Sequence, residues 1–157
     1  MNIYNNNGLR FEDEEPEKEI PENPMEKMMG GLMFDKKFIE QRISDPKDFY
    51  WIIKTLPGSE FAGTICLWNI NTENKYAEVG YELLPDFQGK GIMTSALREI
   101  INFAFTKLDL EVIEAFTHAE NRASKKLLES FGFRVVAGKT DPDNSNNIVY
   151  CLEKAQT

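Results

Sequence analysis

The hydrophobic pattern changes period in the middle of the chain, and the change falls on a glycine-rich turn. Residues 76–84 (YAEVGYELL) read as a strand, whereas over 93–107 apolar residues recur at helical spacing: Met93, Leu97, Ile100, Ile101, Ala104 and Phe105. Between the two lies Gln88-Gly89-Lys90-Gly91-Ile92-Met93-Thr94. Before it, residues 48–56 (DFYWIIKTL) and 61–70 (FAGTICLWNI) have the aromatic and β-branched content of strands, with turns at 57–60 and 71–75. Short connections of this kind join hairpins, so the three strands predict an antiparallel meander. After the helix come a strand at 111–117 and a second helix that Asn121 starts. That helix carries Ala123, Leu127, Leu128 and Phe131 on one face and ends at Gly132. Short strands at 133–136 and 148–152, separated by the polar loop 140–147, complete a β-α-β-α-β-β order. The whole predicts a mixed sheet with helices packed on it.

The first 45 residues carry less pattern. A short strand fits within 4–11, but Asn5-Asn6-Asn7-Gly8 reads as a turn, and Pro16, Pro21 and Pro24 exclude a long helix. Brief helices are expected at 25–29, ending at Gly30-Gly31, and at 35–43, stopped by Ser44-Asp45-Pro46. No internal repeat or second domain is evident. One domain spanning 1–157, with an atypical and shortened stretch at 1–45, is the expectation at this length.

Charge changes the picture only locally. Between positions 12 and 26 eight acidic residues stand against Lys18 alone, nearly the whole of the net charge of −8. An acidic balance weighs against a general binder of nucleic acid or anionic membrane, and an acidic run is ordinarily a solvated surface. Cys66 and Cys151 form no CxxC and His118 is the only histidine, so zinc, a disulfide framework and any two-histidine mechanism lack support. With no signal peptide and no membrane-length apolar run in view, a cytoplasmic setting is expected. Trp51, Trp68 and the stripe Met93, Leu97, Ile101, Phe105 read as packing residues.

A strand feeding a helix through glycines presents unpaired backbone N–H groups at a helix N-terminus, which is an anion site. Three phosphate motifs compete for it. A Walker loop needs GxxxxGK followed by Ser or Thr, which Gly89-Lys90-Gly91 does not provide; a dinucleotide fingerprint needs GxGxxG, but position 94 is Thr. The third is the pyrophosphate loop of acyl-CoA binders, (Gln/Arg)-x-x-Gly-x-(Gly/Ala), which Gln88-x-x-Gly91-x-Met93 matches except at its last place.

Residues 119–133 (AENRASKKLLESFGF) resemble the N-x-x-S…LGF segment that follows this loop in GNAT-superfamily N-acetyltransferases. Together with AEVGYELLPDFQGKGIMTSAL they look most like the branch that acetylates ribosomal-protein N-terminal amines, a resemblance running from about Phe49 to Phe133. It implies an α/β (α+β) fold with a mixed, mainly antiparallel central sheet and helices on both faces. It implies acetyl-CoA as donor, no metal, and a primary amine as acceptor, attacked directly in a ternary complex. A protein N-terminal Ser or Ala comes first, and a polyamine or aminoglycoside second. A non-catalytic acyl-CoA sensor is the alternative of another class, and a nucleotide-binding regulator stands behind it. Homodimerisation is left open. Met93 departs from the small residue of the general motif, and the opening strand and first helix of the superfamily are hard to find in residues 1–45, a region that commonly shapes the acceptor site.

The resemblance also distributes roles. Gln88, Gly89, Lys90, Gly91, Ile92, Met93 and Thr94 would hold the pyrophosphate, with Lys90 adding charge or standing only at the surface. Backbone N–H groups near Leu83 and Leu84 would face the acetyl carbonyl and pantetheine arm, and Asn121 would bind that arm or cap its helix. Glu78 matches a general-base position of part of the superfamily, against the plainer reading of a solvent-facing strand residue or one that holds the amine electrostatically. Ser124 matches the branch's proposed general acid, against a serine that suits the first turn of a helix. Tyr81 and Tyr150 are reserves for the acid.

Overall fold

The computed structural model describes residues 2–5, 9–11, 48–55 and 60–156. Its strands are β1 (Asn2–Asn5), β2 (Leu9–Phe11), β3 (Phe49–Lys54), β4 (Phe61–Asn71), β5 (Tyr76–Leu83), β6 (Val112–His118), β7 (Arg134–Thr140) and β8 (Asn147–Glu153). Two helices, α1 (Ile92–Thr106) and α2 (Arg122–Ser130), follow β5 and β6. All eight strands belong to one sheet in the order β2-β1-β3-β4-β5-β6-β8-β7. The expected meander is β3-β4-β5, antiparallel throughout; β5 and β6 are parallel, and α1 makes the crossover that parallel strands require.

One face of the sheet carries the core. Across the ladder Leu67, Val79, Ala115 and Tyr150 stand in register, as do Trp51, Ile65 and Tyr81 in the next row. Against this face α1 buries Met93, Ala96, Leu97, Ile100, Phe103 and Ala104, and α2 buries Leu128. Leu97 and Ile100 are wholly buried, each contributing about 1.5–3 kcal/mol by leaving water. Phe103 meets Phe49 and Trp51 edge-on, both at 5.4 Å between ring centroids, which fixes the far end of α1 on β3. Ile101 and Phe105 lie partly buried on the margin of the same core. Both described helices therefore pack on this face, and the helices expected at 25–29 and 35–43 lie outside the described residues.

Three local departures from expectation have physical causes. Where one short strand was expected within 4–11, two are described: β1 is antiparallel to β2, with Ile3 opposite Phe11, and β1 runs parallel to β3. The polar stretch after Val136, read as leading into a loop, stays in the sheet: a bulge at Gly138, whose φ of 77° a glycine adopts freely, carries β7 on to Thr140. The connection after β5 holds one 3-10 turn, Pro85–Phe87, opened by the fixed φ of proline. At Gly63, opposite Leu83, β4 and β5 approach so closely that an added Cβ would collide with the Glu82 carbonyl oxygen.

Candidate active site

The site begins where two strands part. Pairing of β5 with β6 runs from Tyr76–Val112 to Val79–Ala115 and stops, while β5 stays with β4 as far as Gly63–Leu83. A cleft of about 960 Å³ opens in the gap. Residues of both strand faces line it, Val79 and Tyr81 from one, Gly80 and Glu82 from the other, so it passes through the plane of the sheet. The Leu84 N–H donates to the Ala62 carbonyl at 2.8 Å. Alternation along an antiparallel ladder then turns the N–H groups of Tyr81 and Leu83 away from β4, toward the cleft. Of the two N–H groups expected to meet a thioester, that of Leu84 is thus committed to Ala62, whereas that of Leu83 points toward the cleft, as does that of Tyr81.

The glycine turn closes one end. Gly89 (φ 73°) and Gly91 (φ 76°) are both left-handed, a conformation that costs other L-residues about 1–2 kcal/mol. The Gln88 amide reaches back to donate to the Leu83 carbonyl at 3.0 Å, tying the turn to the end of β5. Helix α1 starts without a side-chain cap and without an acidic residue in its first turn; its first rung is Ser95 N–H to the Gly91 carbonyl at 3.1 Å. The N–H groups of Ile92, Met93 and Thr94 therefore lack helical acceptors. A Cβ built on Gly89 or Gly91 meets nothing within 4 Å, and both glycines line the cleft together with Ile92, Met93 and Thr94. A pyrophosphate fits such a cradle by charge and by room. Met93 both joins the core and lines the cleft. Lys90 is exposed, with its ammonium 6.0 Å from the Phe87 ring centroid, and neither it nor Leu84 lines the cleft.

Helix α2 supplies the opposite wall. Asn121 caps it, its Oδ1 accepting from the Ser124 N–H at 3.0 Å, and it also borders the cleft. Ser124 is buried, and its hydroxyl lies 2.7 Å from the Tyr81 hydroxyl, joining helix to strand across the cleft. Burial pushes the Tyr81 phenol up to about 12, the Ser124 hydrogen bond pulling the other way. Tyr150 is placed differently: its hydroxyl donates to Glu129 at 3.0 Å and it does not line the cleft.

Glu78 sits on the sheet face away from the helices, one residue before the last β5–β6 pair, and does not itself line the cleft. Its carboxylate accepts from Trp68 Nε1 at 2.9 Å, from Asn69 Nδ2 at 3.0 Å and from the Tyr76 hydroxyl at 3.0 Å. A bulge between Trp68 and Asn71, with Asn69 left-handed at φ 48°, aims the asparagine at it. Trp68 is thus a buried ring with a polar duty, more than the packing residue its position suggests. Next in register, Glu114 is buried, lies 2.8 Å from the same Tyr76 hydroxyl, and accepts from Lys139 Nζ at 2.8 and 2.7 Å.

Sequence reasoning passed over Glu82, Phe116, Thr117 and His118, all of which line the cleft. The signal for Glu82 was present, since period-two alternation sets it on the face of Glu78; the β6 residues needed the parting of the strands to be known. Among the described residues no group of three His, Cys, Asp or Glu side chains is placed to hold a metal.

A strand gap joined to an uncapped, glycine-led helix is an arrangement that acyl-CoA-dependent acyltransferases can use, offering a cleft for the arm and backbone donors for the pyrophosphate. The chain belongs to the GNAT acetyltransferase family, whose domain matches residues 12–134; acetyl-CoA is that family's acetyl donor. It is 38% identical over 71 residues to YdaF of Bacillus subtilis (strain 168), a protein provisionally named a ribosomal N-acetyltransferase, covering 45% of this chain and 39% of YdaF. It is 27% identical over 96 residues to the spermidine N(1)-acetyltransferase of Escherichia coli (strain K12), covering 61% of this chain and 50% of that one. The chain thus spans about half or less of the length of these curated relatives. Among solved structures, the crystal structure of a protein named a probable acetyltransferase superposes with a TM-score of 0.62 at 27% identity over 76% of this chain and 71% of that one. Dodecameric spermidine N-acetyltransferase from Vibrio cholerae shares the fold, with a TM-score of 0.61 at 20% identity over 74% and 71% of the two chains. No helix among the described residues is long and apolar enough to cross a membrane.

Proposed function

We propose that the protein is an N-acetyltransferase moving the acetyl group of acetyl-CoA to a primary amine by direct attack in a ternary complex. The observation that carries the reading is the continuity of the β5–β6 cleft with the open cradle at Gly89 and Gly91. The donor's pyrophosphate lies on the turn and its pantetheine arm runs along β5. The thioester carbonyl meets the Tyr81 and Leu83 N–H groups, which stabilise the oxyanion as the amine nitrogen attacks. The new N–C bond replaces the C–S bond. Glu78 takes the ammonium proton, and Ser124, backed by Tyr81, gives one to the departing thiolate. The second candidate for the base is Glu82, because it borders the cleft and Glu78 does not.

The acceptor we favour is a protein N-terminal amine starting with Ser or Ala. Its unperturbed pKa of about 7.7–8.0 lies far below the ~10.4 of lysine, so a modest base suffices. A name in ribosomal acetylation among the relatives supports this acceptor, and spermidine acetyltransferases there support a polyamine as the second. The free thiols of Cys66 and Cys151 fit a reducing, cytoplasmic setting. Thiol release from acetyl-CoA is the deciding assay, with Ser- and Ala-starting peptides against spermidine. Turnover of a peptide and not of spermidine is expected; thiol release with neither would leave a cofactor-binding module. Glu78→Gln should then reduce turnover and Glu82→Gln should not; the reverse moves the base to Glu82.

A further inference from the structure

The Tyr76 hydroxyl is within hydrogen-bond distance of two carboxylates, Glu78 at 3.0 Å and Glu114 at 2.8 Å, yet it carries a single proton. It satisfies one as donor; the other contact is acceptor against acceptor unless a further proton is present. The rest of the cluster holds that geometry firmly. Trp68 and Asn69 bind Glu78 from β4, and Lys139 grips both oxygens of Glu114 from the β7 bulge. With both carboxylates ionised and Lys139 charged, the cluster has one negative charge in excess, and one added proton neutralises it. The same face carries Cys151 and Glu153 of β8, opposite Glu114 and Val112, and Arg134 of β7, opposite Cys151; burial first, then Glu114 and Glu153, push the Cys151 thiol up, so it stays neutral. Burial and the two carboxylates likewise raise the Tyr76 phenol far above its ordinary value, so Tyr76 passes a proton by giving one as it takes one.

We propose that the base of the transfer is a carboxylate pair: a proton reaching Glu78 is shared through Tyr76 with Glu114, making Tyr76 and Glu114 positioning residues for the reaction. The proposal rests on the reading of Glu78 as the base. In the step, the ammonium N–H bond breaks and its proton goes, through a water that spans the gap from the cleft, to a Glu78 oxygen. Glu78 passes it to the Tyr76 oxygen as the Tyr76 proton moves to Glu114, and Lys139 balances whichever carboxylate remains ionised.

Carbon-13 NMR titration of the side-chain carboxyls, with Glu78 assigned by Glu78→Gln, tests the coupling without turnover. Lys139→Met removes the cation beside Glu114 and should raise the Glu78 midpoint by on the order of one pH unit. In a Tyr76→Phe background the same change should move Glu78 by less than half as much. No shift in the parent, or half or more of it surviving without the hydroxyl, overturns the proposal. Melting temperatures and CoA affinity report any structural damage. The acid limb of the kcat/KM profile should follow the NMR midpoints. If the coupling holds but Glu78→Gln keeps full turnover, the base assignment has failed and the carboxylate pair has not.

Discussion

Gly91→Ala separates two duties of one residue. Its φ of 76° costs an alanine about 1 kcal/mol, and because a Cβ there touches nothing within 4 Å, no clash adds to the strain. For a chain of this size that lowers the Tm by about 2–4 °C. The methyl group adds bulk to a residue that lines the cleft at the start of α1, where a pyrophosphate would be held. Losing one charge-assisted hydrogen bond of about 1.5–3 kcal/mol raises the Kd for CoA roughly 10- to 100-fold. At a CoA concentration near 100 times the parent's Kd, binding stabilises the parent by about 2.7 kcal/mol. The same concentration is only about 1–10 times the variant's Kd and contributes about 0.4–1.4 kcal/mol. The CoA-induced rise in Tm should therefore fall to about half or less. Gly138→Ala is the control: its φ of 77° and empty surroundings impose the same strain, but it lies on β7 outside the cleft. Thermal melts of the three proteins with and without CoA are the assay. Equal CoA-induced rises in Gly91→Ala and Gly138→Ala would refute the cradle.

Two further outcomes concern the hydroxyl pair. Ser124→Ala should lower kcat by on the order of 10²-fold with the KM for acetyl-CoA unchanged, measured by thiol release; an unchanged kcat removes Ser124 as the acid. Tyr81 links stability to alkaline pH. Its folded phenol is raised to about 12 above an ordinary 10, so between those values the folded state keeps a proton that the unfolded state releases. The stability is present below pH ~10 and is lost as pH rises through about 12. Melts across that range should fall more steeply for the parent than for Tyr81→Phe, and parallel curves would contradict the burial of the phenol.

The elements around the turn were legible because each states its period over many residues. Strand 76–84 appears as Tyr76–Leu83 and helix 93–107 as Ile92–Thr106, both set by local spacing and by glycines with a backbone reason to be there. β7 was underestimated because Lys139 and Thr140 look like loop residues; a glycine bulge and ladder bonds to β8 hold them in the sheet. The turn and α2 bring Gln88, Gly91, Asn121 and Ser124, the residues the resemblance singled out, to one cleft. Hydrogen-bond partners were beyond reach. That Leu84 turns to Ala62, or that Glu78 shares Tyr76 with Glu114 from 36 residues downstream, depends on register, and register is set by the assembled sheet.

Gly63 bears on how such a cleft can change its ligand. The wall formed by β5 is laid against β4 through bare backbone, with the Glu82 carbonyl and the Leu83 Cα where a side chain on Gly63 would have to go. The course of that wall is thus fixed from behind by main-chain contact, while the residues it shows to the gap, Tyr81 and Glu82 among them, can be exchanged in place. Retuning specificity is then a matter of relettering β5 on an unchanged track. Any side chain at position 63 would instead shift the track and carry every cleft-facing group of β5 with it.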